Sequence, residues 1–447
     1  MSGQSDVTEA NDTTEANDSA SVDNVLATVS DDIEACIGDP LTDDRSFDPE
    51  VETISLNAPS YGAPEVLEAL ESMLSTWVTM GEKVAQFEDG FAEYLDAAGA
   101  MMVNSGSSAN LVALRALQSD RHGIELAPGD EVIVPACTWS TSVAPIIDVG
   151  ATPVLVDSDP DTFALDIDAV SEAITDDTAA IMAVHLLGNP ARMDALTDLC
   201  ADHNLVLLED CCEAHGAAFD GQRVGTFGEY GTYSFFFSHH ISTMEGGMVV
   251  SNDHERIEAA KPIRAHGWVR ELDDREELAD DHPDIDERFL FVDSGMNVRP
   301  TDVQGAFGIH QLERLEPFIE IRRDNAERLS TELAAYDDVL EFQHEQPNGR
   351  HTWYGYPLVV AADAPFSRAE LTAHFEANNI ETRPIMGGNL AEQPAFEHLR
   401  ERAGPLPVAA GLHERGFFFG NHHRMGDEHI DHIVDVVDEF VAEHASR

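Results

Sequence analysis

The chain has 447 residues, of which 85 are Asp or Glu and 25 are Lys or Arg, giving a formal net charge of −60 at neutral pH. This charge argues against nucleic acid and anionic membranes as partners, and no run of eighteen apolar residues predicts a membrane span. At molar salt the screening length falls to about 3 Å, which relieves such self-repulsion, so the composition predicts a protein from a halophilic archaeon.

The first fifty residues are acidic, small and polar, and they contain the near-repeat TEANDTTEAND. Such a composition buries too little surface to fold, so it predicts a disordered acidic tail over residues 1–50. The segment has neither the basic nor the apolar region of a signal peptide, so we expect a cytoplasmic protein. Pro64 then opens an amphipathic helix, and a second helix is predicted over residues 82–96.

From residue 100 onward, short apolar runs alternate with helical segments. The runs AMMVN, EVIVP, TPVLVD, AAIMAV and LVLLED are rich in β-branched residues. This alternation predicts a mainly parallel sheet flanked by helices, in a large domain over residues 51–300. A long helix over residues 301–336, the strand YGYPLVV and an amphipathic last helix predict a smaller α+β C-terminal domain over residues 301–447.

Polar clusters are expected at the carboxyl ends of these strands, where such sheets bind ligands. The first, NSGSSANL, follows a strand and opens a helix. Gly106 allows a close backbone approach, and Ser107 and Ser108 add hydroxyls to the free N–H groups of the helix start, which suits a phosphate. A plain serine N-cap explains the same residues equally well.

Two further clusters follow the next strands. Trp139 in PACTWSTS can stack on a planar ring, although ordinary packing between domains explains it too. Asp210 in LVLLEDCCEAHG is a carboxylate at the end of a buried strand, so it needs a partner such as a protonated ring nitrogen. Glu213 can reach a neighbouring ring oxygen, and the alternative for both carboxylates is helix capping.

The stretch GTYSFFFSHHISTMEGG carries Ser234, a candidate phosphate contact, and the adjacent histidines His239 and His240. Arginine forks suit diphosphate or carboxylate groups, and pairing with the surplus of acidic residues is the alternative for any one of them. The remaining candidates lie in AHGWVRELDD, SGMNVRPTD and ETRP, and they are His266, Arg270, Asn297, Arg299 and Arg383.

The chain resembles the sugar aminotransferase family of fold-type I PLP enzymes over roughly residues 55–445. Five motifs in the same order carry the resemblance: SGSSA, PACTW, LEDCCEAHG, SFFFSHH…EGG and NVRP. The resemblance implies that Ser107, Ser108 and Ser234 contact the cofactor phosphate and that Trp139 stacks on the pyridine ring. It also implies that Asp210 keeps the ring nitrogen protonated, which makes the ring an electron sink.

Two further positions follow from the same resemblance. Glu213 stands where most members have a glutamine near the ring hydroxyl. Asn297 matches a residue that reaches the cofactor phosphate of the neighbouring subunit, which implies a homodimer with shared active sites.

One departure from the family pattern concerns His239, which occupies the position of the lysine that holds PLP covalently. The chain has two lysines, Lys83 and Lys261, and neither is near this stretch. Histidine cannot form that bond, but it can move protons, since its unperturbed pKa is about 6.5. His240 either orients His239 or has a structural role, and the structural role is preferred.

The substitution resembles a branch of the family, the nucleotide-sugar 3-dehydratases, in which PLP and pyridoxamine phosphate (PMP) bind non-covalently. The branch implies L-glutamate as amino donor, GDP-4-keto-6-deoxymannose as the expected substrate, and substrate or glutamate contacts from His266, Arg270, Arg299 and Arg383. A related branch holds a cysteine-ligated iron–sulfur cluster. This chain has no cysteine after position 212, so no such cluster is expected.

Two rival functions and a metal site are the alternatives to this interpretation. A nucleotide-sugar 4-aminotransferase would keep the nitrogen in its product, and a non-catalytic PLP-fold sensor would turn nothing over. The C-terminal histidines have no metal-site spacing, so no metal is expected; they are His413, His422, His423, His429 and His432.

Overall fold

The elements of the computed structural model lie within residues 15–41, 46–121 and 123–445, which are the residues it describes. The helices are α1 (Glu15–Ile37), α2 (Ala63–Leu74), α3 (Glu82–Leu95), α4 (Gly106–Ala116), α5 (Ser140–Asp148), α6 (Ile167–Ala173), α7 (Met193–His203), α8 (His254–Arg264), α9 (Arg275–Asp281), α10 (Asp302–Leu333), α11 (Arg368–Ala377), α12 (Pro407–Arg415) and α13 (Asp427–Ala445). Within these ranges, every helix is too short or too polar to span a lipid bilayer.

The strands alternate with these helices over most of the chain. They are β1 (Gly99–Val103), β2 (Glu131–Pro135), β3 (Thr152–Val156), β4 (Thr178–Val184), β5 (Val206–Asp210), β6 (Ala218–Phe219), β7 (Gln222–Arg223), β8 (Tyr230–Ser234), β9 (Gly247–Ser251), β10 (Leu340–Phe342), β11 (Gly349–Arg350), β12 (Gly355–Val360), β13 (Thr382–Pro384) and β14 (Gly416–Gly420).

The central sheet has the strand order β1-β9-β8-β5-β4-β2-β3 in the described part of the chain. Strands β3, β2, β4, β5 and β8 pair in parallel, and β9 runs antiparallel to both β1 and β8. The predicted mainly parallel sheet is therefore confirmed. Since β1 points the same way as β8, the carboxyl ends of β1, β2, β5 and β8 share one edge, and the loops that follow them meet there.

The C-terminal part forms a second, antiparallel sheet with the order β10-β12-β14-β13. Helices α11 and α13 cover it, and its apolar side chains form a core of their own. The long helix α10 confirms the helix predicted over residues 301–336. It packs against α2 and α3 as well as α13, so it links the two parts. The boundary at residues 300 and 301 stays a prediction.

The N-terminal segment differs from its prediction. Residues 15–37 form helix α1, which lies against α2, so disorder over residues 1–50 is the wrong description of residues 15–41 and 46–50. The average composition is acidic, but the apolar residues recur at helical spacing and form one half-buried stripe, which helix packing can use. The stripe consists of Val22, Leu26, Val29, Ile33 and Ile37. Residues 1–14 and 42–45 lie outside the described residues.

A buried carboxylate, Glu209, fixes the chain beside the sheet edge. It is fully buried in β5 and accepts hydrogen bonds from the backbone N–H groups of Gly225 (2.7 Å), Phe227 (2.7 Å) and Gly228 (2.8 Å). His185 accepts from the Ala191 N–H at Nδ1, so its Nε2–H points to Glu209 at 3.2 Å. These contacts hold the loop before β8, and with it the strand that presents Ser234.

Candidate active site

A cavity of about 330 Å³ opens at the shared carboxyl edge of the central sheet. The loops after β1, β2, β5 and β8 line it, together with Tyr354 from the segment before β12 and Met386 from the segment after β13. The predicted residues that line it are Gly106, Ser107, Trp139, Asp210, Glu213, Ser234 and His239. The structure therefore brings together residues that are up to 133 positions apart in the sequence, from Gly106 to His239.

One end of the cavity is formed by the start of α4. Ser105 caps this helix by accepting a hydrogen bond from the Ser108 N–H at 3.1 Å. A Cβ on Gly106 would lie 2.5 Å from Cβ of Ser234, so only glycine lets the helix start approach the end of β8 this closely. Ser107 donates to Thr141 Oγ1 at 3.0 Å. Hydroxyls of Ser105, Ser107, Thr141 and Ser234 therefore line the cavity beside the first turn of α4.

The side chain of Ser108 does not line the cavity. Its hydroxyl donates to Asn104 Oδ1 at 2.7 Å and accepts from Ser105 at 3.0 Å. Ser105 and Thr141, which the sequence reasoning missed, line the cavity instead. The N-cap position of Ser105 was readable from NSGSSANL, because the residue before a helix start commonly turns its oxygen back to the helix.

Asp210 lies at the end of β5 and is 5% exposed. Its Oδ2 accepts from Asn110 Nδ2 and Ser142 Oγ, both at 2.8 Å, and its Oδ1 accepts from the Cys212 N–H at 3.1 Å. These three donors satisfy the oxygens of this buried side chain. Asn110 and Ser142 were not predicted, and no sequence pattern near Asp210 indicates them.

Trp139 stands at the cavity mouth, just before α5, and its side chain is 55% exposed. A large aromatic ring that is half exposed beside a cavity has a free face for stacking on a flat ligand. A pyridine ring with a phosphate fits the residues present, since Trp139 offers a face, Asp210 a buried negative charge, and the α4 start the phosphate donors.

Glu213 carries a second carboxyl group into the cavity. Burial raises the pKa of Glu213 to about 8, although its Oε2 accepts from the Leu187 N–H at 2.8 Å; the nearby charge of Asp210 also raises it. Near neutral pH, Glu213 therefore holds a proton. It can donate a hydrogen bond to a ligand oxygen, as the glutamine of the family can.

Replacing Glu213 with glutamine is expected to flatten the pH dependence of stability in the ligand-free protein. The native pKa of about 8 lies above the ordinary value of 4.5, so the native state retains a proton that the unfolded state has lost. The free energy of unfolding should consequently fall as pH rises from about 4.5 to 8 in the wild type, and less in Glu213→Gln. Urea unfolding at several pH values measures this, with the exposed Glu172→Gln as control; equal slopes would contradict it.

His239 lies in the loop between β8 and β9, half-buried at the cavity wall. Its backbone N–H donates to the Phe236 carbonyl at 2.9 Å, and its ring centroid is 5.4 Å from that of Tyr354. Burial, with a smaller contribution from the Arg322 charge, lowers the pKa of His239 to about 3. The imidazole is therefore neutral and can accept a proton at physiological pH.

His240 is fully buried and does not line the cavity. Its Nε2 lies 3.0 Å from the Thr352 carbonyl and donates to it. This placement supports the structural role. Of the two lysines, Lys83 on α3 pairs with Glu68 and Glu71, and Lys261 on α8 pairs with Glu258, so neither reaches the cavity.

The remaining predicted residues gather elsewhere. They surround the ring of Trp268, whose centroid lies 4.5 Å from the His266 ring centroid, 4.0 Å from the Arg270 guanidinium carbon and 5.7 Å from the Arg299 guanidinium carbon. Arg299 in turn donates a hydrogen bond to Asn297 Oδ1 at 3.1 Å. The cluster was expected at a strand end of the sheet. The cluster joins the loop after α8 to residues 296–299, and these lie beside the end of β1, where the Asn104 N–H donates to the Val298 carbonyl at 2.9 Å; none of the cluster lines the cavity of the same chain.

Arg383 also lies outside the cavity. Its side chain is 53% exposed and pairs with Glu381 at 2.7 Å. Met386, three residues on, does line the cavity, so this segment reaches the site through a residue that was not predicted. Glu245 and Tyr354 are further lining residues that the sequence did not reveal.

Comparisons with known proteins agree with this geometry. Residues 60–438 match the DegT/DnrJ/EryC1/StrS aminotransferase family. The chain is 39% identical to the GDP-4-keto-6-deoxy-D-mannose 3-dehydratase of Yersinia pseudotuberculosis over 376 residues, 83% of this chain and 95% of that protein.

Solved structures of the same kind of enzyme are also similar. The E. coli GDP-4-keto-6-deoxy-D-mannose-3-dehydratase with bound hydrated PLP superposes with a TM-score of 0.81 at 37% identity, covering 86% of this chain and 99% of that chain. A GDP-4-keto-6-deoxymannose-3-dehydratase with a trapped PLP-glutamate geminal diamine gives 0.78 at 36% identity, covering 85% and 99%.

Proposed function

We propose, since this chain belongs to the DegT/DnrJ/EryC1/StrS aminotransferase family, that it is a PLP-dependent lyase acting on nucleotide sugars. It removes the C3 hydroxyl from a nucleotide-linked 4-keto-6-deoxyhexose, with L-glutamate as amino donor, and gives a 4-keto-3,6-dideoxy sugar and ammonia. The observation that carries this proposal is the position of His239 in the wall of a cavity whose lining contains no lysine among the described residues.

Different side chains of the cavity would bind different parts of the cofactor. The α4 start, Ser107 and Ser234 would bind its phosphate, Trp139 would stack on its ring, and Asp210 would keep the ring nitrogen protonated. When bound as the amine, PMP supplies the group that condenses with the C4 ketone and a ring that accepts electrons.

His239 then acts as the general base. Its ring would accept a proton from the carbon that bears the cofactor amine, so that the C3 hydroxyl could leave with its bonding electrons. Glu213, which holds its proton near neutral pH, would donate a hydrogen bond to the hydroxyl oxygen of the cofactor ring. After the C3 hydroxyl has left, water would hydrolyse the bonds from the nitrogen to the cofactor and to the sugar, which would release ammonia and the 4-keto sugar.

The nucleotide and hexose are proposed as GDP and 4-keto-6-deoxymannose. The similar proteins from Yersinia pseudotuberculosis and E. coli bear that substrate in their names, and one similar structure is a histidine-to-asparagine mutant of such an enzyme with bound GDP-perosamine. The net charge of −60 supports work at molar salt, as in the cytoplasm of a halophile.

Turnover of a panel of GDP-, dTDP- and CDP-4-keto-6-deoxy sugars with glutamate and PLP in molar potassium chloride tests the function. Ammonia together with a deoxygenated sugar, seen by mass spectrometry and fastest with the GDP sugar, is the expected result. A stable aminosugar would establish the 4-aminotransferase instead. No turnover and no spectral change with glutamate would favour the non-catalytic sensor.

We also propose a homodimer with shared active sites. Apolar side chains are exposed around the first half of α10 and at the cavity mouth, which is unusual on so acidic a surface; they are Tyr61, Trp77, Val78, Met244, Phe236 and Phe237. The cluster around Trp268 does not line the cavity of its own subunit. In a dimer it would contribute to the cavity of the partner subunit. Equilibrium sedimentation in molar salt should give twice the monomer mass, and a monomer would contradict the proposal.

A further inference from the structure

A buried arginine lies behind the histidine pair. Arg322, near the middle of α10, is 2% exposed. Its Nη1 donates to the backbone carbonyls of Tyr354 at 2.9 Å, Trp353 at 3.4 Å and Asn421. Burial lowers the pKa of Arg322 to about 10, so the group is still charged at neutral pH. Its hydrogen-bond partners are carbonyl oxygens, in a chain rich in carboxylates.

Two of the three carbonyls that Arg322 binds, those of Trp353 and Tyr354, belong to a short segment, residues 352–354, that we term the strap. The Thr352 carbonyl accepts from His240 Nε2 at 3.0 Å, and Tyr354 Oη lies 3.2 Å from Ser238 Oγ. The Tyr354 ring also contacts His239. The strap therefore touches three consecutive residues of the loop that carries the proposed base.

The strap has a backbone conformation that requires support. Trp353 has φ +49°, in the left-handed region that a bulky side chain disfavours. Such a residue persists only where its surroundings hold it. Two sources of support are visible: the Trp353 ring stacks on His351 at 3.9 Å, and Arg322 binds the Trp353 carbonyl. Two backbone hydrogen bonds, from Thr352 N–H to the Gly188 carbonyl and from Tyr354 N–H to the Leu187 carbonyl, also hold the strap in place.

The guanidinium also acts on the histidines through its charge. It opposes protonation of His215, His239, His240 and His422, whose pKa values all lie below the ordinary value, with burial as the largest cause. The titratable and charged groups that face His239 come from several elements. Arg322 lies on α10 and Tyr354 on the strap. Asp210 ends β5, and Cys212, Glu213 and His215 follow it. His240 and Glu245 lie on the same loop as His239.

We propose that Arg322 is a positioning residue of the active site: it fixes the strap, and with it the His239 ring. The consequence for catalysis rests on the proposed function. The positioning of the strap by Arg322 does not depend on the proposed function, because the contacts of Arg322 with the strap, and of the strap with the loop that carries His239, are present without any ligand.

Arg322→Met and Arg322→Lys separate position from charge. Histidines labelled with 13C at Cε1 are titrated by NMR in the full-length protein, and the His239 signal is identified by its absence in His239→Asn. We expect the His239 midpoint in Arg322→Met to rise by about one pH unit, and in Arg322→Lys to stay near the wild-type value. Both variants should lose kcat by about tenfold or more with little change in KM, since methionine has no donor and the lysine ammonium does not match the position of Nη1, which binds three carbonyls.

Arg328→Met is the matched control, because Arg328 lies on the same helix and pairs with Asp427 and Asp431 at the surface. It should leave both the titration and kcat unchanged. An unchanged His239 midpoint in Arg322→Met, with kcat within twofold of the wild type, would overturn the proposal.

Two further outcomes are informative. If Arg322→Met fails to fold by circular dichroism, a loss of kcat in folded Arg322→Lys still supports the positioning role, and full activity there refutes it. If the wild type shows no dehydration, the proposed function has failed, and the NMR titration alone decides whether Arg322 controls His239.

Discussion

Replacing His239 with lysine is expected to abolish dehydration, with kcat falling by about 10²- to 10⁴-fold, the usual contribution of a general base. The same change should attach PLP covalently, because a lysine amine in the wall of the cavity meets the cofactor aldehyde. His239 lines the cavity, whereas Lys83 and Lys261 are paired with glutamates on α3 and α8. Borohydride treatment followed by mass spectrometry should therefore show an added pyridoxyl phosphate in this variant and none in the wild type.

His254→Lys is the control, because His254 is an exposed histidine on α8, outside the cavity. It should neither bind PLP covalently nor lose activity. His239→Asn should lose dehydration without gaining the covalent bond, which separates loss of the base from blockage by lysine. Dehydration that survives in both His239 variants would show that another group removes the proton.

The central sheet and its edge were predictable because strands buried on both faces read as continuous apolar runs. The carboxyl ends of parallel strands meet at one edge, so Asp210 and His239 were expected to lie together although 29 positions separate them. The helix starting at residue 106 was likewise readable from its cap. In each case a local pattern determines which way the side chain points.

The missed residues depend on contacts between distant parts of the chain. Tyr354 contacts the loop that carries His239, and Arg322 binds the strap behind it, only because α10 and the second sheet pack against the first; no local pattern indicates that docking. Ser105 and Ser108 differ by three positions, and the register of the helix start decides which hydroxyl faces the cavity. Helix α1 was missed because average composition concealed the spacing of its apolar residues.

Asp210→Asn is expected to lower kcat at least about a hundredfold, the size of one preorganised electrostatic contact. The amide has no charge to keep a pyridine nitrogen protonated, so the ring would lose its ability to accept electrons. The amide NH2 would also face donors, because Asn110 Nδ2, Ser142 Oγ and the Cys212 N–H all point to the carboxylate. Steady-state kinetics with PLP binding measured by absorbance separates lost chemistry from lost affinity.

Asp157→Asn is the matched control for this change. Asp157 also follows a buried strand, β3, is 6% exposed, and accepts from the backbone N–H groups of Val408 (3.0 Å) and Ala409 (2.7 Å), but it does not line the cavity. Both variants should lose stability, since each leaves buried donors facing an amide. Only Asp210→Asn should lose kcat in the folded protein. If Asp210→Asn keeps kcat within tenfold of the wild type, the three donors around Asp210 stabilise a structural carboxylate, and the protonated ring nitrogen must be held by another group.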